Sequence, residues 1–301
     1  MKKRLISSVF IVAFTLAFVL LKQVHSLFFD AFALLISYVS LREIIKAQGE
    51  RAVEKSTQIA LYLVPAAQFS IYFFASGYLA LVLHIALAAV LFIYLLSQDM
   101  SVYAKDRRLG TTEPNAEVLN QHLFDRTKRG MMIFAYPLLP ISFLFALNHL
   151  PYEVGYMGII LTIVIAMLTD TCAYLFGMGF GHRKLIPEVS PKKTIEGCIG
   201  GFVGGLIGVV ICYLVFKFAG WFSVLETVSS GVSICAFLIL GVVGSYINQL
   251  GDLVASAYKR KFNIKDFSNI FPGHGGFMDR VDGQMFVAIV VYVGLALLFV
   301  V

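Results

Sequence analysis

Long apolar runs are the feature of this sequence that most restricts its fold. Nine of them follow one another, and each approaches the roughly 20 residues that a helix needs to cross a bilayer. Composition agrees, because 59% of the residues are hydrophobic and only 14% are charged, against about a quarter in ordinary soluble domains. Four cysteines are too few for a disulfide-rich secreted module. The sequence predicts an all-α polytopic integral membrane protein with about nine transmembrane helices, at 5–21, 27–41, 59–76, 78–96, 131–147, 155–180, 198–218, 229–249 and 284–301.

The Lys and Arg residues predict how these helices are oriented. Of the 24 such residues, all but Lys22 and Lys217 fall in alternate loops of the nine-helix arrangement. Cytoplasmic loops carry the excess of Lys and Arg, so we predict a cytoplasmic-membrane protein with a cytoplasmic N-terminus and an external C-terminus. The net charge of +6 then reflects orientation, and no nucleic-acid partner is expected. The two loops richest in polar side chains, 181–197 and 259–283, both face the cytoplasm in this arrangement.

A short polar pattern follows the eighth apolar run. Asp252, Ser256 and Lys259 are spaced i, i+4 and i+7, which places them on one face of a helix. A carboxylate at the membrane boundary needs a partner, because at bilayer depth it costs about 2.5–3.5 kcal/mol on insertion scales. The pattern is typical of a functional site, and equally of an Asp–Lys pair that closes the end of a helix.

The next segment, 265–283, combines a glycine-rich turn with acidic and basic side chains. Its Pro-Gly-His-Gly-Gly core predicts a compact turn, because glycine permits close backbone approach. Asp279 and Asp282 follow, three residues apart, and with Asp252 they suit Mg²⁺, which is usually held by one or two carboxylates and substrate phosphates. Surface ion pairs on a lipid-anchoring loop are the alternative. Four basic side chains here can neutralise a polyphosphate: Lys259, Arg260, Lys265 and Arg280.

The loop 181–197 carries a second set of phosphate-binding groups. Ser190 or Thr194 can cap the following helix, and Lys192 and Lys193 supply positive charge. The segment lacks the glycines of a Walker A loop, and it is interpreted equally well as a positive-inside anchor.

Asp170 lies in the middle of an apolar helix, where a carboxylate needs a partner or a watery cavity, and we predict a functional role for it. Asp30 and His84 are predicted to be structural polar contacts. Glycines 200, 201, 204, 205 and 208 predict close packing of the seventh span. This packing can bring the Lys192–Lys193 loop beside Asp252.

These residues resemble the phosphatidate cytidylyltransferase family, also called CDP-diacylglycerol synthases. The family signature has the form S-x-x-K-R-x4-K-D, a short gap, and P-x-H-G-G-x-x-D-R-x-D, and this chain matches it from Ser256 to Asp282, through Lys265 and His274. Tyr258 stands where the family usually has an aliphatic residue or Phe. The family's upstream pattern is matched at Asp170, Ala173 and Tyr174 and at residues 190–197. The resemblance covers residues 155–301.

The resemblance implies that CTP and phosphatidic acid give CDP-diacylglycerol and diphosphate in the presence of Mg²⁺. It also implies a homodimer, a polar cavity open to the cytoplasm and to lipid, metal ligation by Asp252 and Asp279 with Asp282 close by, and K⁺ as a second cation. The predicted catalytic residues are Asp252, Lys259, Arg260, Lys265, Asp279, Arg280 and Asp282. The predicted substrate-binding residues are Ser256, Lys192, Lys193, Asp170 and His274, although His274 is equally interpreted as structural.

We therefore predict a nucleotidyltransferase of phospholipid biosynthesis, with N-terminal helices and cytoplasmic loops in residues 1–130 and a catalytic transmembrane domain in residues 131–301. A CTP-dependent kinase of polyprenol or dolichol is one alternative, and its product is a lipid monophosphate with CDP released. An ion-coupled transporter, with Asp170 and Asp252 on the ion path, is an alternative from another class. It leaves the long signature unexplained.

Overall fold

The structure is a computed structural model that describes residues 2–49, 53–75, 77–109, 124–218, 220, 223–271, 273 and 275–300. Helices make up most of these residues. They are α1 Lys2–Leu21, α2 Ser26–Gln48, α3 Lys55–Phe74, α4 Gly77–Leu109, α5 Asp125–Ile133, α6 Leu139–Asn148, α7 Tyr152–Phe180, α8 Ile195–Phe218, α9 Ser230–Lys261, α10 Met278–Val281 and α11 Gln284–Phe299. A kink at Phe134–Leu138, where the backbone of Tyr136 is not helical, joins α5 to α6, and a 3₁₀ turn, Ser223–Glu226, precedes α9.

Each predicted apolar run coincides with helical structure, and within the described residues six helical segments are long and apolar enough to cross a membrane. They are Lys55–Phe74, Leu79–Ser101, Asp125–Asn148, Tyr152–Phe180, Ile195–Phe218 and Ser230–Lys261. The apolar parts of α1 and α11, Val9–Leu21 and Gln284–Phe299, are shorter, and α2 contains Asp30, Arg42 and Glu43. The fold is that of a polytopic membrane protein, and the count of nine spans and their sidedness remain predictions.

A small antiparallel sheet is the departure from an all-α fold among the described residues. Lys184–Ile186 (β1) pairs with Ser190–Thr194 (β2), Lys184 opposite Thr194. The side chain of Glu196, at the start of α8, accepts hydrogen bonds from the amides of His182 and Arg183 at the base of this hairpin. The segment predicted as a loop is thus a hairpin that is anchored at its base to α8.

Closely spaced glycines join three helices. Gly204 of α8 lies against the carbonyl of Leu168 in α7, and Gly205 lies against Ser245 in α9, where an added Cβ would collide in both cases. Gly200 and Gly208 continue the face toward α7, and Gly201 the face toward α9. The predicted close packing is confirmed, with one set of glycines for each neighbouring helix. Because α8 begins directly after β2, this packing also places the hairpin next to α9.

A buried polar network ties α1 and α2 to α6 at the end of the helices opposite the hairpin. The ammonium of Lys22 donates to the carbonyl and the side-chain oxygen of Asn148. Asn148 donates to Asp30 at 2.7 Å, and Nε2 of His149 lies 3.2 Å from the other oxygen of Asp30. Burial lowers the pKa of Lys22 to about 8, against the opposing effect of Asp30. Asp30 is therefore a structural contact, as predicted, and so is His84, within 3.3 Å of Gln68.

We expect Asn148→Leu to destabilise the protein by about 1–3 kcal/mol, because it removes one hydrogen bond from buried Lys22 and one from buried Asp30. Thermal unfolding of the detergent-solubilised protein measures the loss. The same substitution in a Lys22→Met, Asp30→Leu background should cost much less, since no buried charged group then loses a hydrogen bond. An equal cost in both backgrounds would contradict this explanation.

Candidate active site

A cavity of about 360 Å³ lies between α7, the hairpin and α9. It collects polar side chains that the sequence places far apart. Asp170 comes from the middle of α7, Lys192 and Lys193 from β2, and Asp252 from α9. Tyr174, one turn after Asp170 on α7, lines the same cavity. The structure thus brings four of the predicted site residues together.

An ion pair closes the contact between the hairpin and α9. Nζ of Lys193 lies 2.8 Å from Oδ2 of Asp252 and donates to the carbonyl of Gln249 at 3.3 Å. The predicted cap is also present, because Oγ1 of Thr194 accepts a hydrogen bond from the amide of Gly197 in the first turn of α8. Asp170, which lines the same cavity, accepts a hydrogen bond from Asn248 of α9 at 2.7 Å. Each of these two carboxylates therefore has a partner from another element.

Asp282 lies half-buried in the turn between α10 and α11, next to α9. Gly251 makes this approach possible, because a Cβ there would lie 2.7 Å from the carbonyl oxygen of Asp282. Burial raises the pKa of the Asp282 carboxyl, the negative charge of Asp252 raises it further, and Lys259 opposes the rise. A bound cation would relieve such repulsion between two carboxylates.

Asp279 organises the glycine-rich loop. Its Oδ1 lies 2.8 Å from Nζ of Lys259, and its Oδ2 accepts hydrogen bonds from the amides of Phe267 and Gly276, each at 2.9 Å. Both oxygens of this buried carboxylate thus have protein partners, and they join the two ends of the loop to α9. Metal ligation by Asp279 remains a prediction, and it requires that one of these partners give way.

Glu43 of α2 is the site residue that the sequence analysis missed. It is only 3% exposed, and its carboxylate accepts hydrogen bonds from the amide of Phe277 at 2.9 Å, the amide of Met278 at 2.7 Å and the hydroxyl of Ser268. It caps the start of α10, the short helix that carries Asp279. The one available signal was an acidic residue that follows an apolar run, 27–41, almost directly.

The remaining predicted residues lie around this loop. Ser256 is half-buried on α9, one turn after Asp252, and Lys265 and Arg280 are exposed. Arg260 donates from Nε to the carbonyl of Val189 at the tip of the hairpin, at 3.3 Å. His274 lies outside the described residues. Lys192 is exposed on β2, at the rim of the cavity.

The donor set suits a magnesium ion in its chemistry, although no three His, Cys, Asp or Glu side chains form a ready metal cluster in the part of the chain that the structure describes. Mg²⁺ needs only one or two carboxylates, since waters and substrate phosphates complete its coordination. Asp252 and Asp282 are carboxylates whose charges act on each other, and a cation would relieve that repulsion. The residues present therefore fit an ion held jointly with a phosphorylated substrate.

Comparison with known proteins places the chain in a family. The profile of the cytidylyltransferase family matches residues 2–298. The phosphatidate cytidylyltransferase of Staphylococcus saprophyticus is 33% identical over 199 residues, which cover 65% of this chain and 72% of the relative. Those of Staphylococcus haemolyticus and Staphylococcus aureus are 35% and 37% identical over 173 residues, covering 56% of this chain and 62% of each relative. The family suggested by the motifs is confirmed: the chain belongs to the cytidylyltransferase family and is a nucleotidyltransferase.

Proposed function

We propose that this protein is a phosphatidate cytidylyltransferase, which converts CTP and phosphatidic acid to CDP-diacylglycerol and diphosphate. Family membership and the names of its relatives support the reaction. The observation that carries the proposal is the ion pair between Lys193 and Asp252, because it joins the upstream segment 190–197 to α9, the helix in which the signature begins at Ser256. That cavity offers positive charge for phosphates beside carboxylates that suit a metal.

The reaction requires two anions to meet. A phosphate oxygen of the lipid attacks the α-phosphorus of CTP, a new P–O bond forms, and the bond to the bridging oxygen of the leaving diphosphate breaks. The attacking phosphate is already ionised near neutral pH, so no strong general base is needed. Positioning and charge neutralisation are the main tasks. Lys192 and Lys193 supply positive charge on one side of the cavity, and Lys259 and Arg280 supply it at the loop.

Asp252 and Asp282 are the carboxylates best placed to hold Mg²⁺, and Asp279 joins them if Lys259 or the loop amides release it. When bound, Mg²⁺ polarises the α-phosphate and stabilises the leaving diphosphate. Asn248 keeps Asp170 oriented beside the same cavity, at 2.7 Å. A cytoplasmic position of the site is supported by the basic residues of its two loops. K⁺ as a second cation and a homodimer belong to the proposal through the family resemblance.

The decisive experiment incubates the purified protein with α-labelled CTP, phosphatidic acid and Mg²⁺, and follows the label into the organic phase. We expect CDP-diacylglycerol on thin-layer analysis. A lipid monophosphate formed from polyprenol would support the lipid-kinase alternative instead. Substrate flux across vesicles without nucleotide would support a transporter.

Asp252→Asn should lower the rate of lipid labelling by about 10²-fold or more, because it removes a charge that the transition state requires. The rate of labelling at saturating CTP measures the effect. Glu188→Gln, an exposed change in the hairpin turn, is the matched control and should leave the rate unchanged. Near-normal turnover of Asp252→Asn would remove this residue from the site.

A magnesium titration separates the two roles open to Asp279. If Asp279 binds the metal, Asp279→Asn should raise the Mg²⁺ concentration for half-maximal activity by about tenfold or more. If it acts only through the loop amides, kcat should fall at an unchanged magnesium requirement. The activity measured over a range of free Mg²⁺ decides between these outcomes.

Glu43 should act as a positioning residue. Glu43→Ala removes the acceptor for two amides and a hydroxyl, and we expect kcat to fall by about tenfold or more while the KM for CTP changes little. Glu43→Gln keeps one acceptor oxygen and should recover part of the rate. Arg42→Gln changes the exposed neighbour on the same helix and should be neutral. A wild-type kcat in Glu43→Ala would show that the loop does not depend on this contact.

A further inference from the structure

A second cavity lies against the glycine-rich loop, with Ile270, Phe271 and Phe277 in its lining. Its volume is about 250 Å³, and side chains from α1, α2, α6, α7 and the segment 270–285 line it. The lining is almost entirely apolar, and Phe14, Phe32, Ile36, Phe277 and Met285 are representative. The proposed reaction needs a place for the apolar part of its lipid substrate. This cavity has one charged residue in its described lining, whereas the cavity of Asp170 and Asp252 has four.

One end of the apolar cavity is positively charged. Arg280 alone is charged among the described residues that line it, and it forms no ion pair with another described residue. It stands in the same short helix as Asp279 and two residues before Asp282. Its guanidinium and the carboxylate of Asp170 are close enough to interact electrostatically. An unpaired guanidinium is well suited to a phosphate, which it can bind through two parallel hydrogen bonds.

The length of the cavity matches one leaflet of a bilayer. Phe29, Phe32, Ile36 and Val39 line it along one face of α2, and the ten-residue step from the first to the last corresponds to about 15 Å of helix. This is half of the roughly 30 Å thickness of the hydrocarbon core, which is the depth that one acyl chain spans. Val39 lies one turn before Glu43, so the loop end of α2 is also the end at which Arg280 stands.

The two cavities lie along one face of α7. Ile163 lines the apolar cavity and Asp170 the polar one, and seven residues, or about two helical turns, separate them. Exposed apolar side chains rim the apolar cavity, among them Phe10 of α1, Leu35 of α2 and Ile270 of the loop. The rim is suited to open toward lipid rather than toward water.

We propose that the apolar cavity holds an acyl chain of phosphatidic acid, with the lipid phosphate at Arg280 and CTP on the opposite side, at Lys192 and Lys193. This inference rests on the proposed function and assigns its two substrates to separate cavities. The occupant is the substrate lipid rather than a bulk bilayer lipid, because the cavity ends at an unpaired cation and at the loop that carries Asp279 and Asp282.

Filling the cavity tests this assignment. Thr15→Trp places a large side chain inside it, and Leu16→Trp places the same side chain on the exposed neighbouring position of α1, outside the lining. The rate of CDP-lipid formation is measured with dioleoyl and with dioctanoyl phosphatidic acid in mixed micelles. We expect Thr15→Trp to lower the ratio of kcat/KM for the long chain over the short chain by about tenfold, with the KM for CTP unchanged. Leu16→Trp should leave the ratio as in the wild type.

A direct measurement covers the case in which Thr15→Trp does not fold. Phosphatidic acid with a photoactivatable group on its acyl chain should label the wild-type protein in α1, α2 or the segment 270–285. Unlabelled phosphatidic acid should compete for this labelling at least tenfold better than phosphatidylcholine, and Arg280→Met should remove the difference.

An unchanged chain-length ratio in an active Thr15→Trp variant would overturn the assignment. So would equal competition by the two lipids, which indicates bulk lipid in the cavity. Failure of the proposed function is a separate result, because the wild-type protein would then form no CDP-lipid from either chain length, whereas the competition experiment reads out lipid binding without catalysis.

Discussion

A carboxylate placed among apolar helices needs a partner, and much of the architecture of this protein meets that requirement. Asp30 accepts a hydrogen bond from Asn148, and Asp170 accepts one from Asn248. Asp252 pairs with Lys193 and Asp279 with Lys259. In each case the partner comes from a different element or from a distant part of the chain, so these contacts link elements that are separate in the sequence. Glu43 meets the same requirement with backbone amides of the glycine-rich loop.

The same pairs prepare the site for its substrates. Lysines that neutralise carboxylates here are also the groups that suit phosphates, and a phosphate that arrives with a divalent ion can exchange partners with them at little cost in desolvation. The glycines of α8 make this arrangement possible, because they let α7 and α9 approach on its two sides. A reaction between two anions then depends on helices that keep positively charged side chains close to both anions.

Much of the fold was open to prediction, and the reasons are visible at particular residues. The apolar runs predicted helices that the structure contains, because a helix satisfies its own backbone hydrogen bonds where water is absent. The glycines of α8 correctly predicted that Lys193 would come near Asp252. The kink at Phe134–Leu138 was not predicted, although Pro137 stands within it and cannot donate a backbone hydrogen bond. The hairpin at 184–194 was not predicted either, because its pairing is held at its base by Glu196 from the following helix.

The sequence by itself determined the class of protein, the helical runs and the family, because hydrophobic length and a long signature of fixed spacing are properties of the chain alone. Only the tertiary structure decided which acids share a cavity. It placed Asp279 with Lys259 and the loop amides, set Asp252 against Lys193, and brought Glu43 from the N-terminal part of the chain to cap α10. The partner of a buried charge is chosen by packing across helices far apart in the chain, and local spacing carries no record of that choice.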